Sequence, residues 1–191
     1  MSALFIAIEG LDGSGGTTQV QLLVQALSAH ATREPSDLPV GRLIRQALAS
    51  RELGDGVLPY LFAADRKDHL EREIEPALAA GQHVVTDRYY HSSLAYQSLA
   101  APLDFVLGLN QGFRAPDLTV FLDLSPEQCL ERIAARSAHR DRFETLEQLR
   151  AISQSYGAAL ALLAGRGERI VAVDARGTPQ QVHQRVLAAL P

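Results

Sequence analysis

Apolar positions along the chain follow two rhythms. Ala3–Glu9 (ALFIAIE), His83–Thr86 (HVVT), Leu118–Leu124 (LTVFLDL) and Ile170–Asp174 (IVAVD) are short, almost unbroken apolar runs, the pattern of strands buried on both faces. Between them, apolar residues recur near 3.6 residues. Val20, Leu22, Leu23 and Leu27 predict a helix over Thr17–Ala29. Gly41–Ser50 reads as a short helix. Leu61, Phe62, Leu70, Ile74, Ala77 and Leu78 predict a long one over Leu58–Ala80, with Pro59 in its first turn. Ser125-Pro126-Glu127 reads as an N-cap and first turn. Thr145–Leu163 predicts a further helix, and Thr178 caps a closing one to Leu190, with Pro179 at its start. Strands alternating with helices predict an α/β fold with a central parallel sheet of about five strands. Ligands of such sheets bind beyond the carboxyl ends of the strands. Glu9–Thr18, Asp87-Arg88, Asp123 and Asp174 are therefore the positions to inspect.

Composition narrows the classes. A chain of 191 residues with no repeat or long linker fits one domain. A net charge of −4 gives no global reason to expect a nucleic-acid partner. No run approaches the ~18 apolar residues of a membrane span, and the N-terminus lacks the basic start of a secretion signal. Cys129, the single cysteine, rules out an intrachain disulfide and fits a cytoplasmic setting. In the helix pattern PEQCLERI it reads as a buried, inert thiol.

The segment Gly10–Thr18, GLDGSGGTT, follows the first strand and opens the first helix. A dinucleotide fingerprint fails, because Thr18 stands where its last Gly or Ala is needed. The phosphate-loop pattern G-x-x-x-x-G-K-[ST] fits at Gly10, Gly15 and Thr17, with Gly16 in the lysine position. Such loops work mainly through backbone N–H groups and a helix N-terminus, which Gly16 preserves. What is missing is a point charge. A charged hydrogen bond contributes roughly 1.5–3 kcal/mol to binding, and a placed cation about 10³–10⁵ in phosphoryl-transfer rate. On these residues alone, a nucleotide site and a ligand-free glycine-rich turn both remain open.

Further segments occur in a fixed order: Thr32-Arg33-Glu34-Pro35; Leu61-Phe62-Ala63-Ala64-Asp65-Arg66; Asp87-Arg88-Tyr89, then Ser92-Ser93-Leu94-Ala95-Tyr96-Gln97; Ala115-Pro116-Asp117-Leu118-Thr119; and Glu131-Arg132-Ile133-Ala134-Ala135-Arg136, leading to Asp141-Arg142-Phe143-Glu144. In this order and over nearly the whole length, the chain resembles thymidylate kinases, nucleoside monophosphate kinases of the phosphate-loop type. The resemblance implies a three-layer α/β/α fold, transfer of the ATP γ-phosphoryl group to dTMP with Mg²⁺, and a homodimer. It implies that Gly10, Gly13, Ser14, Gly15, Gly16, Thr17 and Thr18 bind ATP, and that Thr17 and Asp87 serve the metal. Arg88 and Arg33 would hold the acceptor phosphate, Phe62 and Arg66 the thymine, and Asp12 and Tyr96 the sugar, with Ser93 and Gln97 near the base. Arg136, Arg140 and Arg142 would be catalytic arginines of a lid over about 136–144, and Asp87 would share in catalysis.

The residues also make sense alone. Phe62 and Arg66, four apart, share a helix face, where a ring and a guanidinium can stack on and bond to a base. A core Phe beside a surface Arg would show the same spacing. An arginine at a strand end suits phosphate through its rigid fork, and it also suits a plain ion pair with Asp87.

Two departures from the family pattern stand out besides Gly16. Ser36-Asp37-Leu38-Pro39-Val40-Gly41 follows Pro35 where the family continues with two glycines, which leaves another deoxynucleotide acceptor open. The brief SAHATREP stretch predicts a second strand that is truncated or absent. Lys67, the only lysine, points off the Arg66 face, so lid arginines are the expected replacement for the missing charge. A catalytically impaired nucleotide-binding relic is the alternative that Gly16 raises.

Overall fold

A computed structural model describes residues 3–50, 52–136 and 145–191. In chain order the elements are β1 (Phe5–Gly10), α1 (Gly16–Leu27), β2 (His30–Arg33), α2 (Pro39–Ser50), α3 (Leu58–His69), a π-helical turn Leu70–Ile74, α4 (Glu75–Ala79), β3 (Val84–Asp87), α5 (Tyr90–Tyr96), a 3₁₀ turn Gln97–Leu99, α6 (Leu103–Asn110), β4 (Leu118–Asp123), α7 (Pro126–Arg136), α8 (Leu146–Ala164), β5 (Ile170–Asp174) and α9 (Pro179–Ala188).

The strands form one five-stranded sheet in the order β2-β3-β1-β4-β5, parallel at every pairing. β1 is central and buried at all six positions. Its side chains alternate between two cores, as a period of two requires. Ile6 and Ile8 enter one core with Val20, Leu23, Val182 and Val186; Phe5 and Ala7 enter the other with Leu70, Ile74, Leu94 and Leu163.

The second strand is present but short. Ser28, left-handed at φ 51, ends α1, and the chain enters β2 two residues later, so SAHATREP is long enough for four strand residues and no more. The helix expected over Leu58–Ala80 is continuous but holds a π turn at Leu70–Ile74. α5 and α6 lie between Asp87 and Pro116, where the apolar rhythm predicts no element. At α9 the expected cap is a full capping box between Thr178 and Gln181. Among the described residues no helix is long and apolar enough to cross a membrane.

Candidate active site

The carboxyl ends of β1, β3 and β2 lie side by side, which gathers Gly10–Gly16, Asp87-Arg88 and Glu34 at one rim. The loop after β1 is shaped by what a side chain would strike. Gly15 takes φ 104, and a Cβ on Gly13 would lie 2.5 Å from the Cys129 carbonyl of α7. No side chain caps the start of α1, so its first N–H groups remain available to an anion. Asp87 reaches the same point: Thr17 Oγ1 donates to its Oδ2 at 2.7 Å.

These two hard oxygen groups fit Mg²⁺, which takes one or two protein oxygens beside phosphate and water. Among the described residues no cluster of three or more His, Cys, Asp or Glu competes as a metal site. A Cβ on Gly16 would lie 3.1 Å from Asp87 Oδ1, so the carboxylate stands close beside the start of the missing lysine.

A cleft of about 690 Å³ runs along the phosphate loop to Arg33, Glu34, Asp87 and Arg88. A second, of about 590 Å³, is walled by Pro35, Phe62, Arg66, Ser93, Tyr96 and Gln97. The clefts share Asp12, Glu34 and Arg88, so the residues assigned to ATP and to dTMP meet at one seam.

Arg88 forms that seam. It is a non-glycine residue at φ 72, pinned by its N–H to the Ile8 carbonyl at 3.0 Å. Its guanidinium donates to Asp12 at 2.7 Å, Ser92 at 2.9 Å and Tyr156 at 3.2 Å, and lies 5.0 Å from the centre of the Tyr96 ring. Burial opposes its charge, but Tyr96, Asp12, Tyr156 and Glu9 outweigh that and raise its pKa further. Tyr96 also donates to Asp12 at 3.0 Å. Burial pushes its phenol above the usual range, so it stays a neutral donor.

Arg66 is not a surface arginine. It is fully buried, donates to Glu34 through Nε at 2.9 Å and Nη2 at 2.5 Å, and to Ser93 through Nη2 at 3.0 Å. Nη1 bonds Asn110. Four of its five donors are thus committed among the described residues, leaving one on Nη1. Glu34 is held in turn by buried His69 at 3.3 Å. Phe62 is half-buried on the same cleft, and the buried Gln97 has its Oε1 without a partner among the described residues.

The loop after Pro35 also has a structural reason. Ser36 donates to Asp65 through its N–H at 2.8 Å and its hydroxyl at 2.6 Å. A Cβ on Gly41 would collide with Ser36. The next residue, Asp37, takes Arg33 at 2.7 Å and Arg45 at 2.9 Å. Arg33 is thus near the site but engaged by its own loop.

Lys67 pairs with Glu71 at 2.7 Å on the exposed surface, away from the phosphate loop as expected. Arg136 closes α7; Arg140 and Arg142, with most of the segment read as a lid, lie outside the described residues. Cys129 is buried, and burial raises its thiol to about 12.

Sequence reading missed several residues here. Arg132 ties the Ser14 carbonyl at 3.2 Å to the Ala175 carbonyl at 2.9 Å, bracing the phosphate loop. Its place four residues before Arg136 was the available signal. Glu9 lies in the strand-end segment singled out for inspection and Ser92 in the SSLAYQ motif, but neither carried a role there; Tyr156, buried within an apolar helix pattern, gave no signal at all.

The thymidylate kinase family model matches residues 8–186. A probable thymidylate kinase of Pyrobaculum calidifontis is 40% identical over 98% of this chain and 95% of its own. The thymidylate kinase of a Synechococcus strain is 41% identical over 96% and 92% respectively. A solved structure of thymidylate kinase from Candida albicans superposes with a TM-score of 0.84 at 28% identity, over 98% of this chain and 90% of that one. With matches of this length and strength, the chain belongs to the thymidylate kinase family.

Proposed function

We propose that the protein, acting as a single domain over residues 1–191, transfers the γ-phosphoryl group of ATP to dTMP, giving ADP and dTDP in the cytoplasm. The observation that carries this reading is the seam at Arg88 and Asp12, where the phosphate-loop cleft and the Phe62–Arg66 cleft meet. In-line transfer needs donor and acceptor phosphates brought together, and the protein contributes chiefly positioning and charge.

Gly13–Thr18 hold the ATP phosphates through backbone N–H groups. Thr17 and Asp87 hold Mg²⁺, which when bound neutralises charge on the phosphate oxygens. Arg88, with Arg33, receives the dTMP phosphate. Phe62 packs on the thymine, the remaining Arg66 donor meets a base carbonyl, and Gln97 Oε1 offers an acceptor to a base N–H. Tyr96 and Asp12 face the sugar. Arg136, Arg140 and Arg142 are assigned to the transferring phosphoryl group through the resemblance alone. Asp12, Arg66 and Arg88 are each held by built hydrogen bonds, which a decayed relic has no need to retain.

A coupled ADP-release assay with dTMP, dUMP, dGMP and dCMP tests this. The expected result is turnover fastest with dTMP. Turnover with none of them, or faster with another acceptor, overturns it.

We also propose a homodimer. Tyr60 and Phe105 stack edge-to-face at 5.5 Å on the outside of α3 and α6, and both are exposed, as are Val57 and Leu99 nearby in sequence. Sedimentation of wild type against Tyr60→Glu should show dimer and monomer respectively.

A further inference from the structure

Arg88 is the residue on which both clefts depend, yet its backbone is strained and its side chain long. Something must fix the guanidinium. The supporting groups come from three elements far apart in sequence. Glu9, 1% exposed at the end of β1, accepts from the Tyr89 N–H at 2.7 Å and the Ser92 N–H at 3.3 Å. Its other oxygen accepts from the Ser92 hydroxyl at 2.6 Å and the Tyr156 hydroxyl at 2.9 Å. Those two hydroxyls, 2.8 Å apart, are the ones that accept from Arg88 Nη1. A hydroxyl whose proton is drawn to a buried carboxylate turns its lone pairs to the guanidinium. Both Nη1 donors are then taken by protein oxygens and one Nη2 donor by Asp12, which leaves Nε and the second Nη2 donor for a phosphate.

Tyr156 lies on α8, is fully buried and lines neither cleft. Its ring packs on Phe121 at 5.2 Å and Tyr96 at 6.1 Å, but packing alone does not need its hydroxyl. Placing that polar group and a carboxylate beneath the sheet's central strand is costly unless both are satisfied.

We propose that Tyr156 and Ser92, backed by Glu9, are positioning residues that aim Arg88 at the acceptor phosphate. The inference rests on the reading that Arg88 receives the dTMP phosphate. It assigns the hydroxyl of a residue remote from the substrate a phosphate-specific effect: with the clamp loosened, the nucleoside portion binds as before and the phosphate no longer adds its full share.

The test is calorimetric titration of dTMP and of thymidine, which lacks the phosphate, into wild type, Tyr156→Phe, Ser92→Ala and Arg88→Gln. Tyr156→Phe keeps the ring, and Ser92→Ala is a milder change at a half-buried site, so the comparison survives if either variant folds poorly. The expected result is dTMP binding weakened roughly tenfold in Tyr156→Phe and in Ser92→Ala, the order of one charged hydrogen bond, with thymidine affinity and the KM for ATP unchanged. Equal weakening of dTMP and thymidine assigns Tyr156 to packing and overturns the inference, as does no change in either. If Arg88→Gln leaves the preference for dTMP over thymidine intact, Arg88 is not the phosphate ligand, and the underlying reading falls first. If Arg88→Gln abolishes the preference while Tyr156→Phe and Ser92→Ala preserve it, only the clamp falls.

Discussion

The Thr17 hydroxyl and the Asp87 carboxylate meet at 2.7 Å, joining the first turn of α1 to the end of β3, and Asp87 Oδ1 stands 3.1 Å from the Cβ that Gly16 lacks. Any side chain at position 16 therefore presses on the metal-side carboxylate. Gly16→Ala should raise the Mg²⁺ concentration for half-maximal turnover, because it displaces Asp87 and adds no charge. Gly16→Lys brings the same displacement together with an ammonium. A charged hydrogen bond contributes about 1.5–3 kcal/mol, so kcat should rise roughly ten- to a hundredfold over Gly16→Ala and exceed wild type. Steady-state kinetics of the three proteins against Mg²⁺ check this, and a lysine variant slower than wild type would show a site rebuilt around glycine.

The buried pair of Arg66 and Glu34 makes a different prediction, about stability. Each side chain is at most 2% exposed. Removing one partner strands a buried charge, which costs about 3–5 kcal/mol. Arg66→Ala should lower the urea midpoint accordingly. Phe62→Ala, half-buried on the same face, should lose dTMP affinity with a much smaller loss of stability.

Asp37 should act on affinity and not on stability. Its side chain and that of Arg33 are 70% and 59% exposed, and exposed pairs contribute about 0–1 kcal/mol. Asp37→Asn frees Arg33, so the KM for dTMP should fall by up to about fivefold, while the denaturation midpoint barely moves. The hydrogen bond from Arg33 lowers the Asp37 pKa below its ordinary 3.8. The carboxylate is thus charged at neutral pH. The difference between wild type and variant should persist above the ordinary value and vanish only as pH falls through the lowered one.

The strands and most helices were legible in the sequence because they bury one kind of surface in one rhythm. Ile170–Asp174 appears with the bounds that its apolar run predicts. α5 escaped because Tyr90–Tyr96 mixes cleft-lining with core residues: Ser92, Ser93 and Tyr96 line the cleft while Leu94 and Ala95 pack in the core. The site followed the same division. Motif residues such as Asp12, Arg88 and Thr17 were visible because their type and spacing carry the chemistry. Tyr156 was not, since a tyrosine in a helix looks like packing until its hydroxyl is seen beside Glu9 147 residues away. Arg66 lines the cleft, but its partner Glu34 was not legible, because sequence spacing cannot show which side chain neutralises a buried arginine.

Cys129 offers an internal probe of α7. Burial raises its thiol to about 12, helped by the carboxylates of Asp12, Asp123 and Glu127 and opposed only by Arg132. With almost no thiolate at neutral pH and no access, it should react with a thiol reagent only as fast as the protein opens. Labelling faster than global unfolding would mean that α7 lifts from the phosphate loop on its own.

The π turn at Leu70–Ile74 has a consequence for comparing this chain with others. A turn closed by i→i+5 bonds holds one residue more than an α turn, and each residue rotates a helix by about 100°. Phe62 and Arg66 are thereby turned to the cleft while Ile74 keeps its place in the core. A relative with an unbroken α-helix in this stretch would need one residue fewer to present the same two faces. A gapless alignment through residues 58–79 would then pair core positions of one protein with cleft positions of the other, and deleting one residue within 70–74 should turn the Phe62–Arg66 face away from the cleft while leaving the helix itself intact.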